Sequence, residues 1–299
     1  MNRSIANWLA TNPGGAVFAT GLLGLLPFFG VGFFFFLPGA VPALLALARG
    51  PRHGAMVAGG ASALLAAAIW LIGRSVPVGV IYAVWVLGPP LALAWVLRRT
   101  GSLSLCLQLA VLAGIVMLIV LHAALGDPTR FWSPVVHQLA QEMQRRGLSI
   151  DDAFLDTLAR SLWGWVTVLT LLLGMCAVFL ARWWQRLSDE PGSFGAEFRQ
   201  LRLGRVLGVL AAGAVAGSFL LDHPFVDDLA RFLMCALALV GVAAAHRIRH
   251  DRHANTAWLW ALYLLLVFVS PVALPALAGI GFVDNWLRSG GRNTLSLRT

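Results

Sequence analysis

GGAVFATGLLGLLPFFGVGFFFFLPGAVPALLALA, residues 14–48, carries no charged side chain from end to end. Wound as a helix at ~1.5 Å per residue, this run is roughly 50 Å long, against a bilayer hydrocarbon core of ~30 Å. One crossing cannot use so much apolar chain; two short ones can. Gly30 and Gly32 sit in its middle, followed by Phe33 to Phe36 and then Pro38 and Pro42. The reading is two spans, about 14–29 and 33–48, with the glycine-rich stretch making the turn.

Outward from that stretch the pattern repeats. Apolar runs fall at about 54–73, 76–97, 103–125, 161–181, 203–221, 229–245 and 256–282. Of the 299 residues 59% are hydrophobic and 12% charged, with a mean hydropathy of +0.79. A soluble domain carries about 25% charged residues to keep its surface wet. Lipid removes the contradiction, because helices that satisfy their own backbone polar groups are stable in it. The expected fold class is therefore all-α: a polytopic transmembrane helix bundle of about 8–9 spans, forming a single membrane domain over 1–299. The N-terminus, MNRSIANWLATNPGG, lacks the apolar core and small-residue cleavage site of a signal peptide, so the first apolar segment is expected to be retained. The last run contains Ser270-Pro271 and Pro275, which predict a kink or a break.

The net charge of +9 does not point to nucleic acid, because the charges fall in short clusters between uncharged runs. Arg49, Arg52 and His53 form one cluster and Arg98 and Arg99 another. Arg182, Arg186, Arg199, Arg202 and Arg205 occupy a third connection, and Arg247, Arg249 and Arg252 a fourth. With the N-terminus in the cytoplasm all four are cytoplasmic, as the positive-inside rule requires of a multi-pass protein of a bacterial cytoplasmic (inner) membrane. Nine crossings, however, put Arg288, Arg292 and Arg298 outside, against the rule.

Two connections are long. In 126–160, Trp132, Val136, Leu139 and Met143 recur at helical spacing, and Ser149 with Asp152 resembles a capping box opening a second helix. This is read as an external amphipathic helical insertion, or a lid. Residues 182–202 form a cytoplasmic amphipathic segment. There Pro191 and Gly192 make a turn, and a helix from Phe194 places Phe194, Phe198 and Leu201 on one face beside a stripe of Arg199, Arg202 and Arg205. That pattern suits an interfacial helix on anionic headgroups or a docking surface.

Little in the chain suggests catalysis. No Asp, Glu or Lys is predicted inside a span, and Lys is absent altogether. His122, Arg74 and Arg231 lie where they can snorkel to the interface. HExxH, GxSxG and P-loop lysine motifs are missing. His246, His250 and His253 sit among Arg247, Arg249 and Arg252, which oppose a bound cation. Cys106, Cys176 and Cys235 lie in apolar runs without CxxC spacing. No enzyme activity, metal or cofactor is expected. Small residues four apart, such as Gly204 and Gly208 or Gly213 and Gly217, permit close helix packing within the chain or between copies.

Three stretches resemble the YybS-like family of predicted membrane proteins: LPGAVPALLALARGPRHGAMVAGG (37–60), RWWQRLSDEPGSFGAEFRQLRLGR (182–205) and GIGFVDNWLRSGGR (279–292). The last carries that family's C-terminal motif at Gly281, Asp284 and Trp286. Residues 37–60 are also similar to substrate-binding membrane subunits of energy-coupling-factor vitamin transporters, whose Gly-Pro-x-x-Gly is matched by Gly50, Pro51 and Gly54. The resemblance implies a helical core that binds a small molecule from outside, driven by cytoplasmic ATPases and a coupling subunit. The expected function is a small-molecule-binding transporter subunit, with Trp70, Arg74, Tyr82 and Trp85 as pocket candidates. The alternative is a non-catalytic scaffold or assembly factor docking a cytoplasmic partner or lipid. Its contact residues would be Gly50, Pro51, Gly54, Pro191, Gly192, Phe194, Glu197, Phe198, Arg199 and Arg202.

Overall fold

The computed structural model describes residues 8–9, 11–29, 34–71, 73, 75–148, 150–189 and 192–290, and among these there is no β-strand. The helices, in chain order, are α1 (Pro13–Leu25), α2 (Leu37–Arg49), α3 (Pro51–Leu71), α4 (Val76–Thr100), α5 (Leu103–Leu125) and α6 (Pro128–Arg145). They continue with α7 (Asp152–Asp189), α8 (Ser193–Arg199), α9 (Arg205–Leu220), α10 (Pro224–Asp251), α11 (Ala257–Phe268) and α12 (Ser270–Gly290). Helices α3, α4, α5, α10 and the stretch Asp152–Leu187 of α7 are long and apolar enough to cross a membrane; α1, α2, α9 and α11 are apolar but shorter. Their outward faces match that reading. Helix α5, for example, exposes Leu112, Val116, Ile119 and Val120, a stripe that water would penalise and acyl chains accept.

The chain divides into two compact units, one of Met1–Ala110 with Thr170–Gln200 and one of Val111–Leu169 with Leu201–Thr299. The first is built on α1 to α4. Helix α2 packs on α3 and α4, α3 packs on α4, and α1 packs on α2 and α3. Its core is Ala58, Ala61 and Leu65 of α3, Ala83, Val86 and Leu87 of α4, and Leu173 of α7. Small residues set the spacing: a Cβ on Gly54 would lie 2.7 Å from both the Ala46 Cβ and the Pro42 carbonyl oxygen. Arg98, expected as a loop cation, instead reaches the last turn of α2 and donates to the carbonyls of Leu47 and Ala46. It thereby satisfies acceptors that the helix end leaves open, where its charge also suits the dipole.

In the second unit α6 folds back on the start of α7. Val136, with Trp132 and Ala140, packs on Leu155, Ala159, Leu158 and Leu162. Helix α6 opens at Asp127, whose carboxylate accepts from the amides of Thr129 and Arg130 at 2.7 and 3.2 Å. The second helix of the 126–160 region starts at Asp152, but no breaker follows and it runs on to Asp189. Leu139 points away from α7 and is exposed. Ser149 lies outside the described residues.

The arginine stripe expected on one helix does not form. Helix α8 stops at Arg199, and Leu201 and Leu203 turn into the core. The backbone there leaves the helix, and Asn285 supplies its partners: its Oδ1 accepts from the Leu203 and Gly204 amides at 2.9 and 2.8 Å, and its Nδ2 donates to the Gly204 carbonyl.

The tightest packing in this unit joins α10 to α12. A Cβ on Gly241 would strike the Leu277 carbonyl, and one on Gly281 would strike the Leu237 carbonyl and come within 2.7 Å of the Gly241 nitrogen. Each glycine thus meets the residue one turn before the other, Leu277 before Gly281 and Leu237 before Gly241; since Cα–Cβ bonds tilt toward a helix N-terminus, the two helices run parallel through their crossing. Contact farther along, between Arg247 and Asp284, agrees. Helix α11 must therefore carry the chain back between them. It ends at Val269 (φ −129°, ψ 39°), and α12 opens with Ser270-Pro271, where proline cannot continue the hydrogen-bond ladder. The parallel crossing puts Arg288 at the same end of the unit as Arg247, Arg249 and Arg252. The conflict raised by counting 256–282 as one crossing disappears.

Candidate functional site

Within the second unit polar groups collect at the two ends of α10, with ~28 Å of helix between Asp228 and Arg247, close to one hydrocarbon thickness. At the N-terminal end lies a cavity of about 570 Å³ lined by Phe154, Thr157, Leu158, Arg160, Ser161 and Trp165 of α7 with Asp227 and Arg231 of α10. The size falls within the ~300–1,000 Å³ usual for small-molecule sites. Phe154, Leu158 and Trp165 make apolar walls. Arg160 meets Asp222 and, at 3.6 Å, Asp227. Arg231 lies over the Trp165 ring, 5.7 Å from its centroid, a cation–π arrangement.

Beside this cavity is a carboxylate, Asp228, that lies just outside the apolar run at 229–245. Helix α10 starts at Pro224, so Asp228 is inside its first turns and fully buried. It accepts from Arg231 Nη1 at 2.7 Å and faces His122 Nε2 at 3.1 Å. His122 and Arg231 are thus partners of a buried acid rather than snorkelling side chains. The available signal was the i, i+3 spacing of Asp228 and Arg231; His122, 106 positions away, gave none.

At the other end Asp284, also buried, pairs with Arg247 and sits 3.7 Å from Arg288. Among the sequence-predicted motif residues Gly281 therefore sets a helix crossing and Asp284 binds two arginines. Trp286 is exposed and stacks on Phe282 at 6.1 Å.

The pocket candidates from the sequence do not meet in this cavity. Trp70 is exposed. Tyr82 donates its hydroxyl to the Gly24 carbonyl at 2.8 Å, and Trp85 donates its indole N–H to Thr170 Oγ1 at 2.8 Å. Arg74 lies outside the described residues. The Gly-Pro-x-x-Gly stretch is a tight turn: Gly50 has φ +109°, Pro51 opens α3, and Gly54 is buried between helices.

Pro191 also lies outside the described residues, and Gly192 caps α8 at φ +92°. Phe194 and Phe198 stack on each other, and both meet Phe179 of α7 edge-on. Glu197 accepts from Arg182 Nε and Nη2 at 2.9 Å each and from Arg186 Nη2 at 2.6 Å. Burial opposes its charge, but these hydrogen bonds and the two cations outweigh it and hold the carboxyl below the ordinary glutamate range. The segment is clamped to α7 through Glu197, with Arg199 at its end and Arg202 beyond it.

Apolar helices long enough to span, lipid-suited faces and charges confined to helix ends define a polytopic all-α membrane protein. Comparison with protein-family models, curated proteins and solved structures finds no match.

Proposed function

We propose that this chain is a multi-pass protein of a bacterial cytoplasmic membrane that binds a small amphipathic molecule, as the substrate-binding subunit of a transport system. The supporting observation is the cavity between α7 and α10, with apolar walls and two arginines, at the end of α10 remote from Arg247, Arg249 and Arg252. If those arginines are cytoplasmic, the cavity faces outward. The similarity of residues 37–60 to energy-coupling-factor subunits supplies the transporter class, and the YybS-like stretches the wider kinship. Energy would come from partner ATPases. On this reading the nine apolar helices α1 to α5, α7 and α9 to α11 cross, and α12, paired parallel with α10, makes a tenth crossing that returns the C-terminus to the cytoplasm.

Purification from native membranes in mild detergent, followed by mass spectrometry of bound small molecules, tests this. One amphipathic metabolite should be retained by the unmodified chain, and Thr157→Trp, which fills the cavity wall, should lower its occupancy at least about tenfold. Retention unchanged by Thr157→Trp would contradict the assignment of the cavity.

A further inference from the structure

One side chain, Arg231, belongs both to the cavity and to the buried group beside it. Its guanidinium donates to Asp228 Oδ1, lies over Trp165 and forms part of the cavity wall. The other Asp228 oxygen faces His122 Nε2. The Asp228 side chain is wholly buried, His122 is 14% exposed and Arg231 27%. The group has room because position 164 is glycine: a Cβ there would lie 2.5 Å from Asp228 Oδ1 and 2.8 Å from Arg231 Nη1. The Phe225 ring stands edge-on to His122, with centroids 5.3 Å apart.

A carboxylate so buried is costly to ionise without a paired charge. Arg231 provides that charge, and imidazole is the side chain type whose own charge changes between about pH 5 and 8. With His122 neutral, Asp228 and Arg231 cancel. A proton taken up by the His122–Asp228 pair neutralises the carboxylate, on whichever partner it rests, and leaves the Arg231 charge to the cavity. The other charges nearby are few. Arg160 on α7 faces Asp227 and Asp222, of which Asp222 is 87% exposed and solvated, and the exposed His223 caps α10 by accepting from the Phe225 amide. The cavity lining itself carries two arginines against one carboxylate.

Resting on the cavity reading above, we infer that His122 and Asp228 form a proton-binding site linked to the cavity through Arg231, so that one proton enters with one anionic group of the ligand. The ligand class is an amphipathic anion, a carboxylate, sulfonate or phosphate on an apolar body. Its head group displaces Asp228 as the partner of Arg231, and its body lies against Phe154, Leu158 and Trp165.

Octanesulfonate is a suitable probe, since it stays anionic throughout and any pH dependence then belongs to the protein. Its binding to the full chain in phosphatidylcholine nanodiscs is measured by calorimetry at about pH 5.5 and about pH 8, in buffers of different ionisation enthalpy, with empty nanodiscs subtracted. Affinity should be at least about tenfold higher at the acid pH, with up to about one proton taken up per molecule bound at the alkaline pH. Arg231→Gln should remove binding at both. Asp228→Asn should bind at the alkaline pH as the unmodified chain does at the acid one. Proton uptake by the unmodified chain needs no variant to fold. Equal affinity at both pH values without proton uptake would overturn the linkage and leave the cavity reading standing. Absence of binding at either pH would overturn both, and binding insensitive to Arg231→Gln would place the probe elsewhere and overturn the linkage.

Discussion

Gly281→Val is expected to abolish recovery of a monodisperse protein, whereas Gly279→Val, two positions away on the same helix, is expected to be tolerated. The difference lies in what each new side chain meets. A Cβ at 281 strikes the backbone of α10 at Leu237 and Gly241, and one at 279 meets nothing within 4 Å. A collision with a flexible side chain is relieved by a rotamer change; a collision with a carbonyl is relieved only by separating the helices. Overpacking a core costs roughly 1–3 kcal/mol even when neighbours can shift, and here they cannot, so more than about 3 kcal/mol is expected. In lipid the loss is sharper still, because helix association there relies on close backbone approach rather than on hydrophobic burial. Size-exclusion profiles of the two variants in the same detergent check this, and equal profiles would contradict the crossing.

Asp284→Ala is expected to be nearly as damaging. Its carboxylate receives Arg247 and lies 3.7 Å from Arg288. Removing it takes away the negative charge those arginines share at a buried position. Breaking a buried pair from one side costs about 3–5 kcal/mol, where an exposed pair such as Glu142 with Arg145 contributes roughly 0–1 kcal/mol. Thermal unfolding followed by helical circular dichroism should therefore show a large drop for Asp284→Ala and almost none for Glu142→Ala. The double change Asp284→Ala with Arg247→Leu should recover part of the loss, since it removes a cation together with its partner.

What the sequence made legible was whatever acts over one or two turns. Uncharged runs became helices, and Ser270-Pro271 separates α11 from α12. Contacts between distant segments were not legible. Gly241 and Gly281 lie forty positions apart and look like any other membrane glycines until the crossing is seen. Hydrophobicity cannot tell a lipid-facing side from a protein-facing one when both are apolar, so the span pattern gave no hint that Asp228 would turn inward. The α8 segment erred for a related reason. A helical period fitted Phe194 to Arg205, but Asn285, eighty-odd residues on, takes the amides of Leu203 and Gly204 and holds that stretch out of the helix. Of the expected site residues, Gly54 and Gly281 lie at close helix contacts, and Glu197 and Asp284 each hold arginines. Of the cavity's arginines, Arg231 stood where it could snorkel and Arg160 at the end of the 126–160 connection, so neither marked a binding group.

Sidedness is decisive: the cavity belongs on one face of the membrane and the α10 and α12 C-terminal ends on the other. In a chain whose three cysteines are replaced by alanine, single cysteines at Asp156, Arg252 and Gly290 can be probed in intact cells with a membrane-impermeant maleimide. The account predicts that the cysteine at 156 labels from outside, and that those at 252 and 290 label only after the membrane is opened. Labelling of 290 from outside while 252 stays protected would contradict the parallel α10–α12 pairing, and labelling of 156 and 252 from the same side would contradict the placement of the cavity.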